Sequence, residues 1–395
     1  MSMYFDHNAT TPLAPEVWRA MEPFLRGDFA NASALYARGR RAREVVEAAR
    51  EQVGRLIGAA ATEIVFTSGG TEANNLALRG VMEYEAGAGH LVVPTLEHAS
   101  VLRCAAALEE AGHAVTRVPP GPDGAMDPGQ LCAAVTPRTR LVSLMLASNV
   151  TGVVQPVPAV GRALADREGI VVHCDAVQAG GRIPIDVDAL RVDLLTLSAH
   201  KLHGPQGIGA LYLRRGTRVR PLISGGGQEG GLRPGTQNVA AIAGFGEAAR
   251  LARLELDTRS AYVEDLRQRF EDGLRRRGVN AVIVGARAPR LPNTSLVCFP
   301  GKEGGALAAN LDQRGFAVST GSACDSGKSG PSHALEGMGL GADVMAGALR
   351  FSLGPDNTPE EIGALVGSLV ELVGGPSGRP SMTGLLGKAI STRRS

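Results

Sequence analysis

Short, almost continuously apolar runs alternate with amphipathic helical stretches along this chain, and that alternation leaves few architectures open. Ile64-Val65-Phe66, Leu91-Val92-Val93, Leu141 to Leu146, Ile170 to Cys174 and Leu194 to Leu197 read as buried strands, with Ile208 to Leu213 returning as a hairpin partner. Ala42, Val45, Val46, Ala49, Val53, Leu56 and Ile57 recur at helical spacing over 41–57. Further helices are predicted over 99–111 and 157–168, and one opens at Gly69-Gly70 and runs through Leu78. Strands that are apolar throughout, separated by helices, predict an α/β fold whose mostly parallel sheet is covered on both faces.

A chain of 395 residues is long for one such unit. The texture changes near residue 256, where Tyr262, Val263, Leu266, Phe270 and Leu274 mark a long charged helix. Short apolar strands follow at Ala281 to Val284, Thr294 to Phe299, Phe316 to Ser319 and Leu349 to Leu353. The expected division is a large domain over 15–255, a smaller α+β domain from 1–14 and 256–375, and a tail over 376–395. Lys plus Arg (41) nearly balance Asp plus Glu (39), so no global charge points to nucleic acid or an acidic membrane. No apolar run is long enough for a membrane span, and residues 1–11 carry no apolar signal core. An odd, dispersed count of 5 cysteines argues against a disulfide scaffold and for a reducing cytoplasm.

The polar residues that stand out fall just after the strands, where open α/β sheets bind ligands. Gly69-Gly70-Thr71 follows the first strand, and a Gly-rich turn opening a helix is a phosphate cradle. Glu97-His98, Ser148-Asn149, Asp175 with Gln178, and Ser198 with His200-Lys201 follow the others. A lysine at the end of an apolar strand is desolvated, which favours the neutral amine, a Schiff-base nucleophile. A phosphate cradle, an Asp for a protonated pyridine nitrogen, a ring-stacking His and such a Lys are together what a pyridoxal 5'-phosphate site requires. His200 and His203 lack a convincing third partner, so no metal is expected.

Specific segments resemble the NifS/IscS-type cysteine desulfurases of the class V aminotransferase superfamily. They are Asp6-His7-Asn8-Ala9-Thr10-Thr11, Glu63 through Asn75, His173-Cys174-Asp175-Ala176-Val177-Gln178, Ser198-Ala199-His200-Lys201 and Gly225-Gly226-Gly227-Gln228-Glu229. Arg233-Pro234-Gly235-Thr236-Gln237-Asn238, Gly321-Ser322-Ala323-Cys324 and Arg350-Phe351-Ser352-Leu353-Gly354 complete the set, in the family's order from about residue 4 to 373. The resemblance implies the type I fold of pyridoxal phosphate enzymes. It implies that Lys201 binds the cofactor as a Schiff base, Asp175 its pyridine nitrogen and Gln178 its ring hydroxyl, with His98 stacked on the ring. Gly70, Thr71, Ser198 and His200 hold the phosphate, and Thr236 of a facing subunit reaches it, so the active unit is a homodimer. Arg350 clamps the substrate carboxylate, assisted by Asn149, which also contacts the cofactor. The family's Asn-Pro-Ser-Ser-x-His segment reads here Asn31-Ala32-Ser33-Ala34-Leu35-Tyr36, a departure near the expected substrate mouth.

Cys104 and Cys132 fall in helical stretches, and Cys174 and Cys298 in apolar strands, where cysteines are ordinarily inert. Cys324 sits in Ser319 through Gly330, a run of small and flexible residues, and the resemblance makes it the sulfur carrier. The implied reaction is cysteine desulfuration. Lys201 moves the α proton of L-cysteine, the Cys324 thiolate takes the sulfur as a persulfide, and alanine leaves. A sulfur-acceptor protein then receives it for iron–sulfur cluster assembly, tRNA thiolation or DNA sulfur modification. A selenocysteine lyase is the nearest alternative. An aminotransferase needs no loop thiol, and a non-catalytic scaffold would not need Lys201, Asp175, His98, Cys324 and Arg350 together.

Overall fold

The computed structural model describes residues 3–320, 335 and 337–374. Chain order begins with β1 (Met3–Tyr4), α1 (Pro15–Arg26) and α2 (Ala37–Leu56). Then come β2 (Ile64–Thr67), α3 (Gly70–Met82), β3 (His90–Pro94), α4 (Ala99–Glu110), β4 (Ala114–Val118), β5 (Thr139–Ser143), β6 (Val171–Asp175), β7 (Leu194–Ser198) and β8 (Gly209–Leu213). Strands β2 to β8 form one sheet in the order β2-β8-β7-β6-β5-β3-β4. Only β8 runs against its neighbours, so the sheet is mostly parallel, with β7 and β8 as the expected hairpin.

Both faces of this sheet are buried, which is why the strands read as unbroken apolar runs. Ile64, Phe66, Val92, Leu195 and Leu197 enter one core with α2 and the helix Val239–Leu254. Val65, Leu91, Val93 and Leu194 point the other way into a second core with α3 and α4. That period of two is the pleat itself. A third core gathers Phe5, Leu266, Phe270, Val297, Phe351 and Leu365. It lies under the four-stranded antiparallel sheet of β9 (Val282–Ile283), β10 (Thr294–Cys298), β12 (Ser319–Thr320) and β13 (Ala348–Ser352). The N-terminal β1 pairs in parallel with β11 (Phe316–Ala317), and Asp6 bridges to Ser352. The Asp6 bridge and the Asn8 N–H, which donates to Ser352 Oγ at 2.9 Å, tether this segment to β13.

Three expectations need adjusting. The strand expected over 141–146 is regular only over Thr139–Ser143, although Leu144 to Leu146 stay buried and the Leu144 and Leu146 N–H groups still donate to the His173 and Asp175 carbonyls of β6. The run Phe316 to Ser319 is two short strands, one pairing with β1 and the other with β13. The edge strand β4 was not anticipated, its Ala114-Val115-Thr116-Arg117 stretch being only half-buried and lacking a continuous apolar signal.

Candidate active site

The carboxyl ends of β2, β3, β5, β6 and β7 converge on a cavity of about 260 Å³. Gly70, Thr71, His98, Asn149, Asp175, Gln178, Ser198, His200 and Lys201 all line it, as do Asn8, Asn74 and Ser100. Parallel strands deliver their next residues to one edge, so positions more than a hundred residues apart meet there.

The turn into α3 shapes one wall. Gly69 adopts φ 155 and ψ −179, a conformation essentially restricted to glycine. A Cβ on Gly70 would stand 2.9 Å from Val177 Cγ2, so glycine keeps this wall open. The first backbone N–H groups of α3 have no intrahelical acceptor, and the helix dipole favours an anion there.

Asp175 is buried at the end of β6, held by two donors: Asn74 Nδ2 to its Oδ2 at 2.8 Å and the Val177 N–H to its Oδ1 at 3.0 Å. Asn74 Nδ2 also donates to Ser100 Oγ at 2.8 Å. Ser100 in turn meets the His98 ring, its N–H donating to Nδ1 at 3.1 Å and its Oγ lying 2.8 Å away. A ring nitrogen that accepts carries no proton, so neutral His98 bears its hydrogen on Nε2. Asn74 and Ser100 thus couple Asp175 to His98, although neither stands out in sequence. The available signal for Asn74 is its place one turn after Gly70 on the same helix face.

Lys201 is half-buried rather than enclosed, and Nζ donates to the carbonyls of Asn8 at 2.5 Å and Ala9 at 2.6 Å. His200 Nδ1 lies 3.1 Å from Thr10 Oγ1, and burial with the Lys201 charge pushes this imidazole down to about 4, leaving it neutral at pH 7. Beneath Asp175, His173 is fully buried between Ser143 Oγ (2.9 Å) and Thr196 Oγ1 (3.1 Å), and burial drives it down to about 4.

Glu97, just before His98, is the other buried acid. Its Oε1 accepts from the Met145 N–H at 2.5 Å, while Oε2 has no partner among the described residues. Burial, reinforced by the Asp175 carboxylate, pushes its carboxyl well above the usual range. A raised acid stabilises the fold below its unfolded value, near 4.3, and loses that contribution as pH rises toward its folded value. Glu97→Gln removes the penalty. The variant's stability relative to the parent should therefore improve as pH rises above about 4.3, by up to about 1.4 kcal/mol per pH unit. Denaturant titrations at two pH values above that point check this; a stability difference that does not change with pH would refute a raised Glu97 carboxyl.

Three expected residues lie elsewhere. Arg350 is buried on β13, with Nη2 on Asp6 Oδ1 at 2.6 Å and Nη1 on the Asn149 carbonyl at 3.0 Å. Its Nε is buried without a partner among the described residues. Thr236 is exposed and lines a separate surface groove with Phe29, Ala30, Asn31, Tyr36 and Arg38. Cys324 lies outside the described residues. The four described thiols do not line the cavity. Burial pushes Cys104 up to about 11 and Cys298 up to about 12, and raises Cys132 and Cys174 as well. Among the described residues no group of three His, Cys, Asp or Glu is placed to hold a metal ion, and no helix is long and apolar enough to cross a membrane.

Comparison with known proteins matches residues 3–365 to the family model described as aminotransferase class-V. The cysteine desulfurase IscS of Anaeromyxobacter dehalogenans (strain 2CP-C) is 47% identical over 364 residues, which cover 91% of this chain and 89% of that protein. A solved structure titled NifS-like protein superposes with a TM-score of 0.88 at 37% identity, covering 94% of this chain and 99% of its own. The structure titled SspA in complex with cysteine gives a TM-score of 0.80 at 33% identity, covering 91% of this chain and 100% of its own. With its strand-end cavity, sheet order and nearly full-length similarity, this chain belongs to the NifS/IscS-type cysteine desulfurases of the class V aminotransferase family.

Proposed function

We propose that this protein is a cysteine desulfurase that binds pyridoxal 5'-phosphate in the strand-end cavity and moves the sulfur of L-cysteine to Cys324, releasing L-alanine. One observation carries the reading: Lys201, Asp175, His98 and the N-terminus of α3 line the same cavity. The residues fit the cofactor. The open wall at Gly70 and the unpaired N–H groups of α3, with Thr71, Ser198 and His200, suit its phosphate. Asp175, anchored by Asn74 and the Val177 N–H, suits its pyridine nitrogen, and the His98 ring, fixed by Ser100, suits its face. Bound there, the cofactor would supply an electron-withdrawing ring that acidifies the substrate α-carbon.

The remaining work falls to the protein. Lys201 Nζ would hold the cofactor and, as a free amine, would move the α proton of the substrate. Arg350 holds the substrate carboxylate through its guanidinium, sharing it with Asp6, and Asn149 assists from the cavity wall. The Cys324 thiolate attacks the substrate sulfur: an S–S bond forms, the substrate C–S bond breaks, and a proton completes the alanine methyl group. L-Cysteine plus the Cys324 thiol thus gives L-alanine plus a Cys324 persulfide, with no outside oxidant. A sulfur-acceptor protein then takes the sulfur in the cytoplasm. The active unit is a homodimer. Thr236, exposed beside Phe29 and Tyr36, serves the phosphate of a second copy rather than its own.

Incubating the cofactor-loaded protein with L-cysteine should yield alanine and a persulfide in equal amounts in a single turnover. Cofactor-bound protein that produces neither would overturn the reading. Selenocysteine turned over while cysteine is not would favour the lyase alternative.

A further inference from the structure

Arg182 lies one turn after Gln178, behind the cavity wall, and is buried. Its hydrogen-bond acceptors are all uncharged. Nη1 donates to the Gln178 carbonyl at 2.9 Å and closely to Gln178 Oε1, while Nη2 donates to the His7 carbonyl at 3.0 Å and the Lys201 carbonyl at 3.5 Å. No carboxylate among the described residues pairs with it. The cations and imidazoles around it offer no compensation. Arg350 adds to the positive field, and His7, His200 and His203 are pushed toward neutrality. A buried guanidinium with only neutral partners is costly, and burial lowers its own proton affinity to about 9.

The contact with Gln178 has a chemical consequence. Arg182 can only donate, so the side-chain atom of Gln178 that faces it must be the carbonyl oxygen. The amide nitrogen is thereby turned the other way. It donates one hydrogen to the Asn8 carbonyl at 3.0 Å, the same oxygen that accepts from Lys201 Nζ, and Gln178 lines the cavity. Without a partner that can only donate, an amide can flip and present its oxygen instead.

We propose that Arg182 is a positioning residue that locks Gln178 as a hydrogen-bond donor toward the ring oxygen of the lysine-bound cofactor and adds an uncompensated positive charge behind it. This deepens the cofactor reading above and rests on it. A donor and a nearby cation both favour an anionic ring oxygen. Losing either raises the proton affinity of the conjugated nitrogen on Lys201.

The test is the pH midpoint of the visible absorbance change of the cofactor-loaded protein, measured without substrate. Arg182→Met should raise proton affinity about tenfold, one unit in midpoint. Gln178→Ala should shift it in the same direction. The double variant should fall short of the sum of the two shifts, because one residue acts through the other. Arg182→Lys, which keeps the charge and a donor, should stay within about twofold of the parent. A parental midpoint in Arg182→Met, or a double variant with fully additive shifts, overturns the proposal and leaves Arg182 a structural clasp. Should Arg182→Met fail to fold by circular dichroism, the comparison rests on Arg182→Lys. A shift as large as that of Gln178→Ala would then overturn the proposal. A parent protein with no titrating absorbance would instead sink the cofactor reading itself, so the two failures are distinguishable.

Discussion

Lys201→Ala and Lys201→Arg should both lower alanine formation from L-cysteine by at least about 10⁴-fold, or about 5 kcal/mol of transition-state stabilisation, and both should abolish the absorbance of the lysine-bound cofactor. The pair separates two roles. Lys201 Nζ donates to the Asn8 and Ala9 carbonyls, so it also ties the N-terminal segment to the cavity. Arginine keeps the charge and can reach a carbonyl, but it does not deprotonate near neutral pH and cannot form the covalent link. If Lys201 were only a tether, Arg would preserve activity while Ala lost it. Equal loss in both, with unchanged circular dichroism, assigns the chemistry to the amine. Absorbance and single-turnover alanine assays read the two losses separately.

The parts of this site that were legible in sequence share one property: a polar residue interrupts an apolar strand at its carboxyl end. Asp175 closes β6 and Ser198 closes β7, with Lys201 one short turn beyond. Strand composition also exposed the architecture, because Ile64, Phe66 and Val65 are buried on opposite faces of one sheet and so leave no polar alternation. The supporting residues were not legible. Asn74 and Ser100 act through their contacts with Asp175 and His98, which no local pattern announces. Local sequence shows only a buried polar residue on a helix or after a strand, which an ordinary cap also explains. His98 illustrates the ambiguity, for it is both the N-cap of α4, accepting from the Ser100 N–H, and a lining residue of the cavity. Arg182 is hidden for the opposite reason: an arginine near a helical turn reads as solvated surface, and only its packing against Gln178, His7 and Lys201 reveals its burial.

Fold and cofactor site alone do not separate a desulfurase from its neighbours in the same superfamily; the thiol does. Of the 5 cysteines, Cys104, Cys132, Cys174 and Cys298 stand away from the cavity, and burial holds each thiol above its ordinary value. A protonated thiol is a poor nucleophile, so none of these four is suited to attack the substrate sulfur. In the sequence Cys324 stands among Gly321, Ser322, Ala323, Ser326 and Gly327, and by the family resemblance it is the proposed sulfur carrier. Cys324→Ser should therefore abolish persulfide formation and sulfur transfer, with at least about a 10³-fold fall in alanine release, since a hydroxyl cannot accept the sulfur. Cofactor absorbance should be unchanged, because no cofactor-binding group is altered. Cys132→Ser, the least buried of the other four, should retain sulfur transfer within about threefold. Mass spectrometry of the peptide bearing residue 324 after one turnover should show one added sulfur, lost on reduction with dithiothreitol. A persulfide found instead on Cys104, Cys132, Cys174 or Cys298, or full sulfur transfer by Cys324→Ser, would break the assignment. Loss of cofactor absorbance in Cys324→Ser would count against it differently, by placing that residue in the binding site rather than in the transfer step.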